Sequence, residues 1–422
     1  MERRTNNIFK YIEWKLIFAY LFLVLVGWIS IYAAVYDGEH SSIWDFSCRY
    51  GKQMIWIAAS LVIALFVLVT DPKFFSQTSY LAYAVCIIML MIVLVVGSNT
   101  KGARSWLGIG DFGIQPSEFA KIGTALALAK FLSAINVDMN NWQTKLTAIG
   151  IVFLPMTMVL LQNDTGSALV FLSFIFVLFR EGLSSYVLIL GAGAIVLFVL
   201  ALLLNPYILI ISLAIIALIS YLIIHRRNRK AKFIYFFGIF VFCSLVVLGV
   251  KFGYNEVLES HQKDRIEVLL GKKQDYKGVG YNVNQSKIAI GSGGMFGKGF
   301  LQGTQTKFNF VPEQDTDFIF CTIGEEWGFV GSAIIVFMFV WLCVKIIKVA
   351  ERQRSNFARI YGYGIAGIIF FHFFVNIGMT IGLLPVIGIP LPFISYGGSS
   401  LWSFTLMLFI FIRQDASRGE LM

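Results

Sequence analysis

Four clusters of polar residues interrupt an otherwise apolar sequence, and they hold most of the side chains able to do chemistry. In the first, Gly102-Ala103-Arg104-Ser105-Trp106 precedes Gln115-Pro116-Ser117-Glu118-Phe119-Ala120-Lys121. Pro116 suits the first turn of a helix, and Glu118 and Lys121, three apart, then share a face. Such a pair either neutralises itself inside a bundle or faces a water-filled cavity. Trp106 reads either as a substrate contact or as an interfacial anchor. The second cluster fills a long segment, 251–316, which carries Asp264-Arg265-Ile266-Glu267, then Gly271 to Tyr281 with Asp275 inside it, then Lys287. Its run Gly291-Ser292-Gly293-Gly294 could offer backbone N–H groups to a phosphate, although flexibility is the stronger account of so short a match. The third cluster is Glu325-Glu326, two adjacent carboxylates within an apolar run. The fourth runs from Asn376 through Pro385, Pro390 and Pro392 to Ser395, Gly397 and Gly398. Three prolines in eight residues cannot continue a helix, so this segment must be covered by protein or line a cavity. Arg49, Lys52 and Gln53, and the stretch Gln162 to Ser167, add smaller polar edges.

The elements that hold these groups follow from composition. The chain has 422 residues, 58% hydrophobic and 14% charged, with mean hydropathy +0.76. So much apolar surface cannot be hidden in one aqueous core. This excludes an ordinary cytosolic enzyme, a disordered chain and a nucleic-acid-binding module, despite a net charge of +10. Twelve apolar runs read as helices: 16–35, 53–70, 77–97, 117–133, 147–161, 166–180, 185–203, 206–224, 233–250, 317–344, 360–381 and 393–412. A span needs roughly 20 apolar residues. The short runs 117–133, 147–161 and 166–180 are expected to sit against protein rather than lipid. With the N-terminus inside, the inner segments carry twenty Lys and Arg and the short outer ones only Arg49, Lys52, Lys101 and Arg104. That asymmetry orients the chain, with both termini cytoplasmic and segment 251–316 a large extracytoplasmic loop. The basic stretch His225–Lys232 is then a topology-setting inner loop. No cleavable leader is expected, because the basic start runs straight into a stretch long enough to span. Five scattered cysteines form no C-x-x-C pair and four histidines show no zinc spacing. The expected fold is an all-α polytopic membrane protein of about twelve spans, treated as one domain. Ionisable groups within or beside spans are then candidates for function, since each costs about 2.5–3.5 kcal/mol at mid-membrane.

Taken together, GARSWLG…QPSEFAK, QNDTGSALV, DYKGVGYNVNQSKIAIGSGGMFGKG, VPEQDTDFIF…GEEWG and GLLPVIGIPLPFISYGGSS resemble the SEDS family (shape, elongation, division and sporulation), which includes RodA and FtsW. The motifs span nearly the whole chain, and Gly303–Gln305 followed by VPEQ is closer to RodA, the elongation member. The resemblance implies a peptidoglycan glycosyltransferase that polymerises lipid II on the outer face of the cytoplasmic membrane. It also implies partnership with a class B penicillin-binding protein and other elongation-complex membrane proteins. The family's essential aspartate maps to Asp275, its tryptophan to Trp106, and its helix pair to Glu118 and Lys121. Two departures stand out. The family usually has ten spans, so two runs within 185–250 are additional. Proline often follows the family's aspartate, where this chain has Tyr276.

Joining two lipid-linked sugars requires that a hydroxyl lose its proton while attacking an anomeric carbon. It also requires that a leaving diphosphate be stabilised. Asp275 either acts as general base or holds a divalent cation, Mg or Mn, against the diphosphate. Arg49, Arg104, Lys121 and Lys287 are the candidate cations for that diphosphate, and Ser395 is a further candidate contact. Inversion in one displacement needs only one base. The competing reading is a lipid-linked precursor flippase or transporter, which broken helices would also suit. A non-catalytic scaffold would leave Glu118, Lys121, Glu325 and Glu326 without purpose beyond packing.

Overall fold

The computed structural model describes residues 11–36, 43–100, 103–109, 112–135, 137–223, 229–257, 260–270, 279–308 and 310–419. The chain divides into two compact units, Met1–Leu183 with Tyr281–Met422, and Ser184–Gly280.

The larger unit holds α1 (Trp14–Val35), α2 (Arg49–Val69), α3 (Ser79–Val96), α4 (Pro116–Leu132), α5 (Trp142–Leu161) and α6 (Thr165–Arg180, with a tight 3₁₀ turn at Phe171–Ser173). The smaller unit holds α7 (Ser185–Leu203), α8 (Pro206–Ile223), α9 (Arg229–Phe252) and α10 (Ser260–Leu269). The larger unit resumes with α11 (Val279–Ser292, from Tyr281 onward), α12 (Ile319–Glu351), α13 (Asn356–Thr380) and α14 (Gly398–Ala416). Among the described residues, nine helices are long and apolar enough to cross a membrane; α4, α6 and α14 are shorter or more polar.

Local sequence sets the helix starts. Pro116 occupies the first turn of α4. Asn141, Asp164 and Ser355 cap α5, α6 and α13, each accepting a backbone N–H of the first turn. In α4 only Phe119, Lys130 and Phe131 are less than fully buried, so α4 is the central post of its unit. It packs against α3, α5, α13 and α14. The expectation that the short runs sit against protein rather than lipid holds for 117–133 but needs correction for 147–161, and for 166–180, where Leu172, Phe176 and Phe179 are exposed. Thr144, Ala148, Val152, Pro155 and Val159 form one buried stripe on α5, while Phe153, Leu154, Leu160 and Leu161 are exposed. Apolar side chains on its outward face have lipid as their solvent.

Two further features depart from an all-helical expectation. Three short strands, β1 (Ser98–Thr100), β2 (Ala103–Ile109) and β3 (Phe112–Ile114), form an antiparallel meander between α3 and α4. The segment 251–316 is partly helical, with a π-helical turn at Gly253–Val257, then α10, α11 and a short helix at Thr304–Lys307. In the smaller unit α7 has no buried residue and α8 only Leu209; both pack against α9, and apolar side chains on their outward faces have lipid as solvent.

The glycine run after α11 has a structural task. α12 is broken at Gly328 (φ 64°, ψ −158°). Backbone groups freed by a break in a membrane helix must be satisfied by protein. Segment 293–299 does this: Phe329 N donates to Gly294 O at 2.9 Å, Val330 N to Met295 O at 3.1 Å, and Lys298 N and Gly299 N to Glu325 O and Glu326 O at 3.0 Å each. A Cβ at Gly293 would stand 2.0 Å from Gly324 O, and one at Gly297 2.0 Å from Glu326 O. Close backbone approach explains these two glycines, and at Gly293 it replaces the flexibility or phosphate binding that the sequence suggested.

Candidate active site

One end of the larger unit gathers the start of α2, the β-meander, the start of α4, the start of α6, segment 293–318 and the non-helical segment between α13 and α14. The opposite end is marked by ion pairs joining helix ends: Glu13 with Lys345 and Arg352, Asp415 with Arg352 and Arg418, Arg359 with Glu181, and Arg180 with Glu351.

The segment between α13 and α14 is held by hydrogen bonds to its backbone. Asn376 donates through Nδ2 to Ile389 O at 2.7 Å and Asp317 O at 2.8 Å. Ser395 donates its hydroxyl proton to Thr316 O at 2.6 Å and accepts from Leu391 N at 2.8 Å. Tyr396 N donates to Asp315 O at 2.9 Å. Pro385, Pro390 and Pro392 keep the segment out of helical geometry, and Gly382 and Gly388 turn it at φ 77° and 70°. Phe393 is buried at φ 66°, a conformation costly for a side-chain-bearing residue. Edge contact with Tyr20 at 5.4 Å and contact with Phe404 at 5.8 Å hold it there. Gly27 lets α1 touch this segment, since a Cβ would lie 2.6 Å from Ile394 Cα. Gly397 N donates to Gln53 Oε1 at 3.2 Å, and Gly398 packs against the Trp56 ring. Ser399 donates to Gly113 O and accepts from Gln115 N, both at 3.2 Å.

Glu118 and Lys121 meet as the sequence spacing requires, at 2.7 Å, with side chains 2% and 0% exposed. Lys121 Nζ also lies 2.8 Å from His372 Nε2 and 5.6 Å from the Phe404 ring centre. Glu118 Oε2 accepts from the Ser403 hydroxyl at 3.3 Å. The pair is enclosed by its own bundle, not by an open cavity. Arg49 forms a two-pronged bond to Asp315 at 2.7 and 2.8 Å and lies over Tyr396 at 5.9 Å. Asp315 is buried while Arg49 stays half-exposed. Arg104 is exposed on β2, its backbone N–H bonded to Gln162 O at 3.0 Å. Trp106 lies against Gly113, where a Cβ would stand 2.9 Å from the indole. Lys287 is exposed on α11, its aliphatic stem against the Gly382 turn.

The adjacent carboxylates take different surroundings. Glu325 accepts from Lys298 Nζ at 2.7 Å, from Thr304 N, Gln305 N and Thr306 N at 2.8, 2.9 and 2.9 Å, and from the Thr304 and Thr306 hydroxyls. It thereby caps the short helix at Thr304–Lys307. Glu326 Oε1 accepts from Leu301 N at 3.1 Å.

Asp275 lies outside the described residues. Among the described residues no three His, Cys, Asp or Glu side chains converge as a metal site. Asp315 and Glu325 are occupied by Arg49 and Lys298, and Asp164 caps α6. These carboxylates therefore assemble no ligand set for a divalent cation. Sequence reasoning placed Asn376 at the head of the fourth cluster but missed His372. A histidine inside a span was itself a signal, and the two stand four apart on one face of α13.

A family model described as "Cell cycle protein", covering FtsW, RodA and SpoVE, matches residues 14–236 and 209–418. The peptidoglycan glycosyltransferase RodA of Treponema pallidum (strain Nichols) is 32% identical over 93% of this chain and 94% of its own length. The peptidoglycan glycosyltransferase MrdB of Escherichia coli (strain K12) is 36% identical over 82% and 80%. Stage V sporulation protein E of Bacillus subtilis (strain 168) is 32% identical over 92% of each. Among solved structures, a chain of a peptidoglycan synthase complex, studied for the coordination of polymerization and crosslinking, shares the fold with a TM-score of 0.71, 24% identity and coverage of 96% and 98%. The crystal structure of Thermus thermophilus rod shape determining protein RodA shares it with a TM-score of 0.61, 24% identity and coverage of 96% and 97%.

Proposed function

The chain belongs to the FtsW/RodA/SpoVE family of cell cycle proteins, and from that premise we propose that it is a peptidoglycan glycosyltransferase polymerising lipid II. The observation that carries this reading is the likeness, over four-fifths or more of both chains, to two relatives bearing that activity in their names. The finer proposal is a role in cell elongation at the outer face of the cytoplasmic membrane, with a class B penicillin-binding protein supplying crosslinks. Outward placement of the gathered end rests on the charge asymmetry of the connecting segments.

In this reading the lipid tails stay in the bilayer and the sugars reach the end that carries Arg49, Trp106 and Lys287. Asp275 takes the proton of the attacking sugar hydroxyl as general base. The electron pair of the bond to the anomeric carbon leaves with the diphosphate, and the half-exposed Arg49 and exposed Arg104 and Lys287 are the cations proposed to neutralise it. Trp106, braced on Gly113, offers a flat face to a sugar ring. Lys121 and Glu118 serve this end from inside, by fixing α4 against α13 and α14, and not by touching the diphosphate.

The test is polymerisation of fluorescent lipid II by the purified protein in nanodiscs, with Asp275→Ala and Asp275→Asn beside it. Glycan strands from the wild type and none from folded variants are expected. Full polymerisation by folded Asp275 variants sinks the assignment. Transbilayer movement of labelled lipid without polymer would support the flippase reading instead. Loss of polymer in chelator, restored by Mg or Mn, would identify the carboxylate as a cation ligand.

A further inference from the structure

We infer that His372 is a positioning residue for the polymerase site, held as the neutral imidazole with its proton on Nδ1. In that form it clasps the Glu118–Lys121 pair to the backbone of the segment between α13 and α14. The two neighbours of the ring fix the assignment. The Pro390 carbonyl, 3.2 Å from Nδ1, has no proton to give, so Nδ1 donates. The Lys121 ammonium, 2.8 Å from Nε2, has no lone pair, so Nε2 accepts. An imidazolium would set a second N–H against the ammonium. The opposite tautomer would misplace both partners. Phe404 meets the ring edge-on at 4.9 Å and 89°, which fixes the ring plane. Salt-bridged Glu118 keeps Lys121 in place as donor.

The position of the clasp gives it reach. His372 and Asn376 lie one turn apart on α13 and hold consecutive carbonyls, Pro390 and Ile389. A few residues on, Ser395 and Tyr396 bind Thr316 and Asp315, and Asp315 carries Arg49. An unbroken series of short contacts thus runs from the buried ion pair to the half-exposed Arg49 guanidinium. Loosening the Pro390 end should disturb where Arg49 stands without removing any group that touches substrate.

The kinetic part of this inference rests on the proposed polymerase activity; the tautomer part does not. The first experiment is ¹⁵N NMR of histidine-labelled protein in nanodiscs at neutral pH. The signal lost in His372→Asn identifies the residue among the four histidines. A neutral ring with Nδ1–H is expected, and an Nε2–H ring or an imidazolium overturns the inference. The second is lipid II polymerisation by three variants with thermal unfolding measured alongside. His372→Asn keeps a donor at the Nδ1 position, His372→Gln an acceptor at the Nε2 position, and His372→Phe keeps only the ring. A loss of tenfold or more in kcat/KM for His372→Phe is expected, with partial recovery in Asn and Gln. A higher KM is expected in Gln, where the Pro390 bond is gone. Wild-type kcat and KM in the folded variants, or no recovery in either conservative one, overturns the role. If His372→Phe fails to fold, the Asn and Gln variants decide. If the wild type itself makes no polymer, the proposed function falls while the NMR result stands.

Discussion

Glu325→Gln replaces the carboxylate at the centre of the turn before α12 with an amide of nearly the same shape. Oε1 receives Lys298 Nζ and the N–H groups of Thr304 and Gln305, while Oε2 receives the N–H and hydroxyl of Thr306. An amide has one acceptor oxygen, so whichever way it turns, its NH₂ faces at least one backbone N–H. A buried donor left without an acceptor costs about 1–3 kcal/mol. The ion pair with the partly exposed Lys298, discounted for solvent, adds about 1 kcal/mol or less. A local destabilisation of about 3 kcal/mol is expected, close to a hundredfold in the opening equilibrium. Hydrogen exchange in nanodiscs reads it directly: the Thr304, Gln305 and Thr306 amides should exchange on the order of a hundredfold faster. Amides of α4 should be unchanged. Wild-type protection of those three amides in Glu325→Gln would refute the capping argument, because the carboxylate is their hydrogen-bond partner.

Other substitutions test other parts of the structure. Gly297→Ala puts a Cβ 2.0 Å from the Glu326 carbonyl at φ 81°, so folded protein recovered after detergent extraction should fall steeply. Gly150→Ala, whose Cβ meets nothing within 4 Å, should be recovered at wild-type yield. Gly113→Ala crowds the Trp106 indole at 2.9 Å; KM for lipid II should rise several-fold with little change in thermal unfolding. Burial raises the Glu13 carboxyl, but hydrogen bonds from Lys345 and Arg352 outweigh it and leave the group below its ordinary value of 4.5. Its stabilisation is therefore complete above the unfolded value and is lost as pH falls through the lower folded one. The stability gap between wild type and Glu13→Gln should be full at about pH 6 and shrink as pH falls below 4.5.

The helices were legible because lipid imposes a blunt requirement on composition. Each of the twelve apolar runs carries helix, and most boundary differences are polar turns added at the ends. α12 runs on to Glu351, where Lys345, Lys348 and Glu351 leave the apolar stretch, and α5 begins at Trp142 behind its Asn141 cap. The meander was not legible: strands of three to seven residues give too short an alternation to separate from loop. The spacing of Glu118 and Lys121 forecast their contact but not its enclosure, because the covering residues, His372 and Ser403, lie more than 250 residues further along the chain. The glycines at 293 and 297 read as loop because their reason is a carbonyl on another element. Asp275, chosen by resemblance, falls outside the described residues.

The two ends of the larger unit are held by different physics, and this ranks their tolerance to change. At the end with Glu13, Arg352 and Asp415, side chains pair with side chains, several of them partly exposed. Exposed pairs are worth about 0–1 kcal/mol each, and one lost pair can be replaced by water. At the other end, the break at Gly328 and the segment between α13 and α14 place non-helical backbone deep in the unit, where water cannot substitute. There the partners are carbonyls and N–H groups, reached by Asn376, Ser395 and the backbone of 293–299. Backbone geometry depends on glycine and proline more than on charge. Substitutions at Gly293, Gly297, Gly328, Pro390 and Asn376 should therefore damage the protein more than charge removal at Arg180 or Glu351, despite the closer resemblance of the latter two to active-site residues.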